Sequence, residues 1–276
     1  MITKLGIPAG AENATDANPS DFTRTIPNPT YDENVNGWSG TGATWGGETA
    51  QNAEIFNKDF DYYKELLGLY EGTYQVSVQG FFRYGSAEND YNTWIENPEL
   101  NNNAFLYASV INGTDTVTFS KPLIRLAAEA SSEEEYGEPS DGYVWAKAST
   151  GNGDGMVVCN SMTTGSYEFE NGKYTNNVVT FKVNEGAKVR IGLKKNVNID
   201  NNWTLWDNWG LTYFGKNSDK AVDGDASGIK SINDLPKLKV EFFTLDGRKA
   251  TAVQKGIMIQ KTTLDNGAVI IRKVRK

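Results

Sequence analysis

Hydrophobic and polar residues alternate along much of this chain, which is the pattern of strands with one buried face. The clearest run extends from Gly72 to Tyr84, where valine and tyrosine alternate with threonine, glutamine and serine. Further strands are predicted at residues 104–111, 115–119, 177–183, 187–193 and 203–215. Because these short strands are separated by glycine and asparagine turns, with Asn112-Gly113 as a hairpin signal, the fold class predicted is all-β, a jelly-roll β-sandwich.

Four other segments do not show a clear strand pattern. Residues 54–67 fit either a helix or strands, residues 123–130 predict a helical turn, and residues 160–174 predict one short helix. Residues 131–155 are rich in glycine, serine and acidic residues, which predicts a long surface excursion.

The polar segments predict four regions in the chain. Residues 1–21 form a leading arm or linker, residues 22–215 the sandwich, residues 216–229 a linker, and residues 230–276 a small C-terminal β domain. Strands at 238–245, 256–260 and 268–272 account for that last region. A unit of about 45 residues is marginal alone, so packing against the larger domain would help it fold.

One strand carries an unusual density of aromatic residues. Between Trp203 and Gly215 lie Trp206 and Trp209, with Asp207 beside the first of them. Neighbouring residues of a strand point to opposite faces, so an indole and a carboxylate would meet different surroundings. We interpret these indoles chiefly as core residues of a closing strand.

The net charge and the lack of a long apolar run argue against several classes of partner. The 276 residues carry a net charge of −8, and the pI is about 4.8, which argues against nucleic acid or an anionic membrane surface. No run approaches the roughly 20 apolar residues of a membrane helix, so we expect no membrane insertion. The opening Met1-Ile-Thr-Lys-Leu5 lacks the apolar segment of a signal peptide, which fits a cytoplasmic protein or an excised piece of an exported one.

Missing residue types exclude several chemistries. The chain has no histidine and one cysteine, Cys159. Triads that use histidine, histidine zinc ligands and intrachain disulfides are therefore excluded. Paired carboxylates remain as a route to glycoside hydrolysis. The acidic run with Glu133, Glu134, Glu135 and Glu138 has no apolar surroundings to separate their pKa values, so we expect a solvated surface, no catalytic residues and no enzyme.

Aromatic residues in polar surroundings are the candidates for ligand binding. Sugars bind to flat aromatic faces, and amides, carboxylates or arginine hold their hydroxyl groups. The candidate platforms are Trp38, Trp45, Trp94 and Trp145, of which we prefer the last two. The candidate hydroxyl partners are Arg83, Asn92 and Asp207. Burial competes with this interpretation, because large sandwiches bury tryptophan and Trp38 follows a turn as a core residue would.

Three motifs in order resemble the galactose-binding-like jelly-roll family, close to the carbohydrate-binding modules of exported Bacteroidetes proteins. They are Asn28-Pro-Thr-Tyr-Asp32 with Gly37-Trp38, Gly68-Leu-Tyr-Glu-Gly-Thr-Tyr74, and Trp206-Asp-Asn-Trp-Gly-Leu-Thr-Tyr213. Tyr70 stands where the family usually has proline, and Trp209 where it usually has phenylalanine.

The resemblance implies a structural calcium that links the first and last strands. By position it points to Asp32 and Asp207 as metal ligands, and calcium prefers such oxygen ligands. The competing interpretation is that Asp32 stabilises a turn and Asp207 accepts from nearby backbone amides.

The C-terminal region resembles a Bacteroidetes C-terminal sorting domain. The matching residues are Val240-Glu-Phe-Phe-Thr-Leu-Asp-Gly-Arg248, Lys255-Gly-Ile-Met-Ile259 and the basic end. This resemblance implies a secreted or cell-surface protein, although the region is shorter than the usual sorting domain.

Two functions stay open at this point. One is a non-catalytic carbohydrate-binding module that holds a glycan or polysaccharide through loop aromatic residues, as part of a larger protein with upstream domains. The other is a structural or adhesive β-sandwich that packs against another domain or protein without binding sugar.

Overall fold

The computed structural model describes residues 6–96, 98, 102–132, 145–147, 156–224, 237–244, 249–250, 257–264 and 269–275. The chain divides into two compact units, Met1–Ala226 and Ser227–Lys276.

The strands, in chain order, are β1 (Ser20–Asp21), β2 (Ser39–Gly40), β3 (Thr44–Trp45), β4 (Ala53–Phe56), β5 (Phe60–Leu66), β6 (Gly72–Arg83), β7 (Ala104–Asn112), β8 (Asp115–Pro122), β9 (Ser131–Ser132), β10 (Trp145–Lys147), β11 (Met156–Cys159), β12 (Asn177–Val183), β13 (Lys188–Lys195), β14 (Trp203–Tyr213), β15 (Lys237–Phe243), β16 (Ile257–Leu264) and β17 (Val269–Arg275). The α-helices are α1 (Gly47–Ala50), α2 (Ala87–Glu96) and α3 (Met162–Glu170). Short 3₁₀ helices cover Ala11–Asn13, Thr23–Thr25 and Leu126–Glu129.

Two antiparallel sheets form the larger unit. The β14 sheet has the order β12-β6-β14-β4-β3, with β1 also paired to β14, and the β13 sheet has the order β2-β5-β13-β7-β8. Strands distant in sequence are neighbours in both sheets, as in a jelly roll. The all-β sandwich predicted from the alternating pattern is confirmed, and residues 54–67 are strands rather than a helix.

The main core lies between these sheets. On β6, Val76 and Val78 are buried, and on β13, Ile191 and Leu193 are fully buried from the facing side. These are the alternate positions that the sequence pattern assigned to one face. Apolar burial on both inner faces is what holds a sandwich together.

A second layer covers the outer face of the β14 sheet, and we call it the cap. It consists of α2, the 3₁₀ helix Leu126–Glu129, the small sheet β10-β11-β9, and α3. A separate apolar cluster joins it to outward-facing side chains of β6 and β14, among them Phe81, Trp203 and Leu205. Gly165 of α3 lies so close to β14 that an added Cβ would be 2.0 Å from Leu205 Cδ2.

A buried ion pair fixes α2 to the rest of the cap. Asp90, which is fully buried, accepts from Arg125 Nε at 2.9 Å. The same carboxylate also accepts from the backbone amides of Tyr84 and Ala127. These bonds hold α2 against the 3₁₀ helix of the cap. Of the surface excursion predicted at residues 131–155, residues 133–144 and 148–155 lie outside the described residues.

The segments predicted as an arm and a linker lie against the sandwich where the structure describes them. Ile7 packs on the main core, Ala11 is 3% exposed, and β1 pairs with the end of β14. Farther along, Asp223 exchanges backbone and side-chain hydrogen bonds with Thr180 of β12.

The smaller unit is a three-stranded antiparallel sheet in the order β15-β16-β17. Its strands match the three that the sequence predicted for the C-terminal region. None of the helices in the described part of the chain combines the length and apolar character of a membrane span.

Candidate functional site

The tryptophans of β14 belong to the core. Trp206 and Trp209 both donate an indole N–H to Tyr31 Oη at 2.9 Å. Trp38 stacks on Tyr62 with ring centroids 4.9 Å apart and lies 4.6 Å from the Trp209 ring. Burial raises the pKa of Tyr31 well above its ordinary value, so the phenol at the centre of this cluster stays neutral.

Two of the predicted sugar platforms hold the segment 27–45 against this cluster. Trp38 donates its indole N–H to the Pro27 carbonyl at 3.0 Å, and Trp45 donates to the Tyr31 carbonyl at 2.8 Å. Both rings are half-buried and pack on the main core. Their polar ends are used within the protein, as the competing core interpretation of Trp38 expected.

Arg83 lies beneath the surface, not at a ligand site. It is 7% exposed and donates to the carbonyl oxygens of Gly85 and Asn201 and to Asn160 Oδ1. Its guanidinium carbon also lies 5.3 Å from the Trp203 ring centroid. These bonds tie the end of β6 to two loops, so we assign Arg83 a structural role in place of the predicted hydroxyl contact.

Trp94 and Trp145 lie on neighbouring elements of the cap. Trp94 is on α2, with its ring 6.4 Å from that of Tyr91, and Trp145 is on β10, edge-on to Tyr167 at 6.1 Å. Both indoles are half-buried and pack on the cap cluster, and α2 and β10 contact each other. The sequence placed these residues in separate loops; the structure places them on two adjoining elements of one layer.

Asn92 does not complete a site with Trp94. Both are half-exposed on α2. Residues two apart on a helix point to different sides, because neighbours on one face are three or four apart. We therefore do not pair the Asn92 amide with the Trp94 ring on a single ligand.

Asp207 lies on the outer face of β14, opposite to Trp206. The pairing with β6 is irregular between Asp207 and Gly210, and Asn208 has a positive φ of 49°. Asp207 Oδ1 accepts from the Asn208 amide at 2.7 Å. Burial raises the pKa of Asp207 to about 8, and the Asp32 carboxylate adds to this rise.

The predicted metal pair is therefore close enough to interact, but it supplies few ligands. Asp32 accepts from the Thr30 hydroxyl at 2.8 Å, which fits the turn role as well. No group of three or more acidic, histidine or cysteine residues that could hold a metal occurs in the described part of the chain. Calcium takes 6–8 oxygen ligands, so carbonyl groups and water would have to provide the rest. The acidic run Glu133, Glu134, Glu135 and Glu138 lies outside the described residues.

The outer face of the β13 sheet carries a polar and aromatic surface that sequence reasoning missed. The Arg190 guanidinium carbon lies 3.9 Å from the Tyr63 ring centroid, and Arg190 Nη2 donates to Glu65 Oε1 at 2.8 Å. Tyr107 donates its hydroxyl to Asp61 at 2.6 Å. These residues occupy alternate positions of β5, β7 and β13, but only the strand order shows that they share one surface.

No family model and no curated protein matches this chain. Among solved structures, the chain is similar to the carbohydrate-binding module TmCBM61 in complex with β-1,4-galactotriose. The two share 10% sequence identity, and the likeness covers 68% of this chain and 97% of that one with a TM-score of 0.29. That TM-score is too low to carry residue roles or a ligand across to this chain.

Proposed function

We propose that this chain is a non-catalytic carbohydrate-binding module whose glycan site lies on the cap at Trp94 and Trp145. The observation that carries this proposal is a division among the tryptophans. The three on β14 are at most 4% exposed. Trp38 and Trp45 are half-buried against the main core and donate their indole N–H groups to backbone carbonyls. Trp94 and Trp145 are also half-buried, but they lie on adjoining elements of the surface layer. Aromatic faces of this kind bind the apolar side of a sugar ring.

The elements that carry the indoles also offer polar groups at the surface. Lys147 is exposed two residues after Trp145 on β10, so it lies on the same side of that strand. Tyr167 of α3 meets the Trp145 ring edge-on. A lysine and a phenol near the Trp145 indole could bind sugar hydroxyls in the role that the sequence had assigned to Arg83.

Calcium at Asp32 and Asp207 is a second proposal, and it concerns structure rather than ligand binding. The Asp32 carboxylate contributes to the raised pKa of Asp207, and a cation between the two carboxylates would stabilise the ionised Asp207. The remaining ligands would be carbonyl oxygens of the segment around Asp32 and water. The metal would fasten that segment to β14.

The open alternative is a module that docks on another domain or protein. The outer face of the β13 sheet favours it, because Lys188, Arg190 and Glu65 form a flat network of ion pairs there. Such mixed charge on a sheet face suits a protein surface of complementary charge.

We also propose that the protein is exported to the cell surface or secreted, with the unit Ser227–Lys276 as a sorting-type region and with catalytic domains elsewhere in a larger protein. The motifs that resemble exported modules support this. Fractionation of cells that express the whole protein would test it, since recovery of the protein only from the cytoplasm contradicts export.

A glycan array probed with the intact chain tests the main proposal. Reproducible retention of one class of polysaccharide supports the binding module. Silence on the array, from a chain whose unfolding is cooperative, favours the docking module instead.

A further inference from the structure

One end of the sandwich holds buried polar groups without protein partners. At this end β5 and β7 begin, β13 ends, and the chain leads into β14. Four residues there have buried polar atoms that form no hydrogen bond within the described part of the chain: Asn103, Lys195, Asn202 and Thr204. We call these four residues the end cluster.

Lys195 is the charged member of the end cluster. It is 2% exposed and follows Ile191 and Leu193 on the inner face of β13. Its Nζ lies 5.7 Å from the ring centroid of Phe60, with which Lys195 is paired across the sheet. The lysine therefore points between the sheets rather than toward solvent.

Asn202 and Thr204 approach the same region from the other sheet. Thr204 lies two residues before Trp206 on β14 and shares its inward side, and Asn202 directly precedes the strand. Both are fully buried. The Phe60 ring stacks on Trp206 at 6.2 Å, while the Asn202 carbonyl accepts from the Asn57 amide at 2.8 Å. Phe60 and the short connection before it therefore link Lys195 on one sheet to Asn202 and Thr204 at the other.

Such a group of side chains requires an explanation. Buried polar atoms in native proteins are nearly all hydrogen-bonded, and those without protein partners commonly bind water or an ion. Within the described residues, Lys195 forms no ion pair; Asp59, which is exposed beside Phe60, is the carboxylate whose charge acts on it. Water can satisfy both the donors and the two amide oxygens of the end cluster, Asn103 Oδ1 and Asn202 Oδ1, but it leaves the Lys195 charge without a contacting counter-ion. An anion supplies that counter-ion and accepts from the three donors, Lys195 Nζ, Asn202 Nδ2 and Thr204 Oγ1, while water remains the partner of the amide oxygens.

We propose that the end cluster binds a small monovalent inorganic anion such as chloride. The Lys195 ammonium supplies the charge, and the Asn202 amide and the Thr204 hydroxyl supply two further donors. This site is separate from the cap, and the proposal of an anion does not depend on whether the protein binds glycan.

Thermal unfolding of the intact chain in different sodium salts tests the proposal. Chloride and gluconate are compared at equal ionic strength and at about pH 6.5, where the buried amine is protonated because its pKa is lowered only to about 8. Since ligand binding to the folded state raises the Tm, we expect the wild type to melt about 2–4 °C higher in chloride.

Two variants on the same strand locate the effect. Lys195→Met should melt at the same temperature in both salts. The matched control is Lys194→Met, whose Nζ lies over the Tyr107 ring on the outer face, and it should keep the wild-type difference. A wild type indifferent to chloride overturns the proposal, and so does a Lys195→Met variant that keeps the difference.

A crystal of the unsubstituted chain grown in bromide gives a second measurement that does not depend on any variant folding. The proposal predicts an anomalous peak in contact with Lys195 Nζ, between it and Asn202. Ordered water alone at that place would contradict it.

Discussion

Trp206 donates its indole N–H to Tyr31 Oη at 2.9 Å, deep between the sheets. Trp209 donates to the same oxygen, so one phenol joins the segment before β2 to the two indoles that flank Asp207 and Asn208 at the irregularity in β14. These two indoles of β14 therefore stabilise the fold through Tyr31. The glycan site proposed above lies instead on the cap, on the outer side of this strand.

Removing the shared acceptor should destabilise the sandwich. Tyr31→Phe keeps the ring but leaves two buried indole N–H groups without a partner. Each unsatisfied group costs about 1–3 kcal/mol, so we expect a loss of roughly 2–4 kcal/mol in the free energy of unfolding. Urea unfolding followed by tryptophan fluorescence measures it.

Tyr63→Phe is the matched control, because Tyr63 is half-exposed on the outer face of the β13 sheet. It should change the stability by less than about 0.5 kcal/mol. Equal effects of the two substitutions would show that the shared hydrogen bond at Tyr31 is unimportant.

The close approach of α3 to β14 should make Gly165 intolerant of a side chain. An alanine there would overlap Leu205, which is fully buried. Overpacking costs about 1–3 kcal/mol, which outweighs the roughly 1 kcal/mol that alanine contributes to a helix. Gly165→Ala should therefore lower the Tm, whereas Gly42→Ala, with open space around it, should not. A Gly165→Ala variant as stable as the wild type would contradict the packing of the cap.

Asp207 should make stability fall as the pH rises. Its folded pKa is raised from 3.8 to about 8, so the protonated form is favoured by folding. This contribution is complete below about pH 4 and is lost as the pH passes through about 8. Between pH 5 and 9, without added metal, the wild type should lose on the order of 2 kcal/mol relative to Asp207→Asn. Parallel stability curves for the two proteins would refute this.

Calcium should cancel that loss if it binds at Asp32 and Asp207, because the metal stabilises the ionised carboxylates. At about 100 times its Kd, a ligand stabilises the folded state by about 2.7 kcal/mol. Adding calcium at pH 8 should therefore raise the Tm of the wild type, and Asp32→Asn and Asp207→Asn should abolish the rise. Identical melting in calcium and in a chelator removes the metal proposal.

Much of the fold follows from local pattern. Alternation located the long strands of both sheets, and Asn112-Gly113 marks the hairpin between β7 and β8. The prediction that Trp206 faces the core, away from Asp207, is confirmed. These features depend on periodicity and turn chemistry, which the sequence shows directly.

The candidate site depends on contacts between distant segments, which local pattern does not show. Nothing near Trp94 in the sequence indicates that α2 adjoins the strand of Trp145. The sequence predicted Arg83 as a ligand-binding residue, but the structure buries it under loops that accept its hydrogen bonds. The surface that contains Tyr63 and Arg190 could be identified only from the strand order of the β13 sheet, because each strand contributes only part of it.

Quantitative glycan binding by matched variants is the sharpest test of a glycan site on the cap. Affinity electrophoresis in the polysaccharide that the array identifies compares the wild type with Trp94→Ala, Trp145→Ala and the control Tyr63→Ala, all checked for cooperative unfolding. The account predicts that the wild type and Tyr63→Ala are retarded equally, and that each tryptophan variant loses at least about tenfold in affinity, as expected when a stacking aromatic is removed. Full retardation of both tryptophan variants, or a folded wild type that no glycan retains, would contradict it.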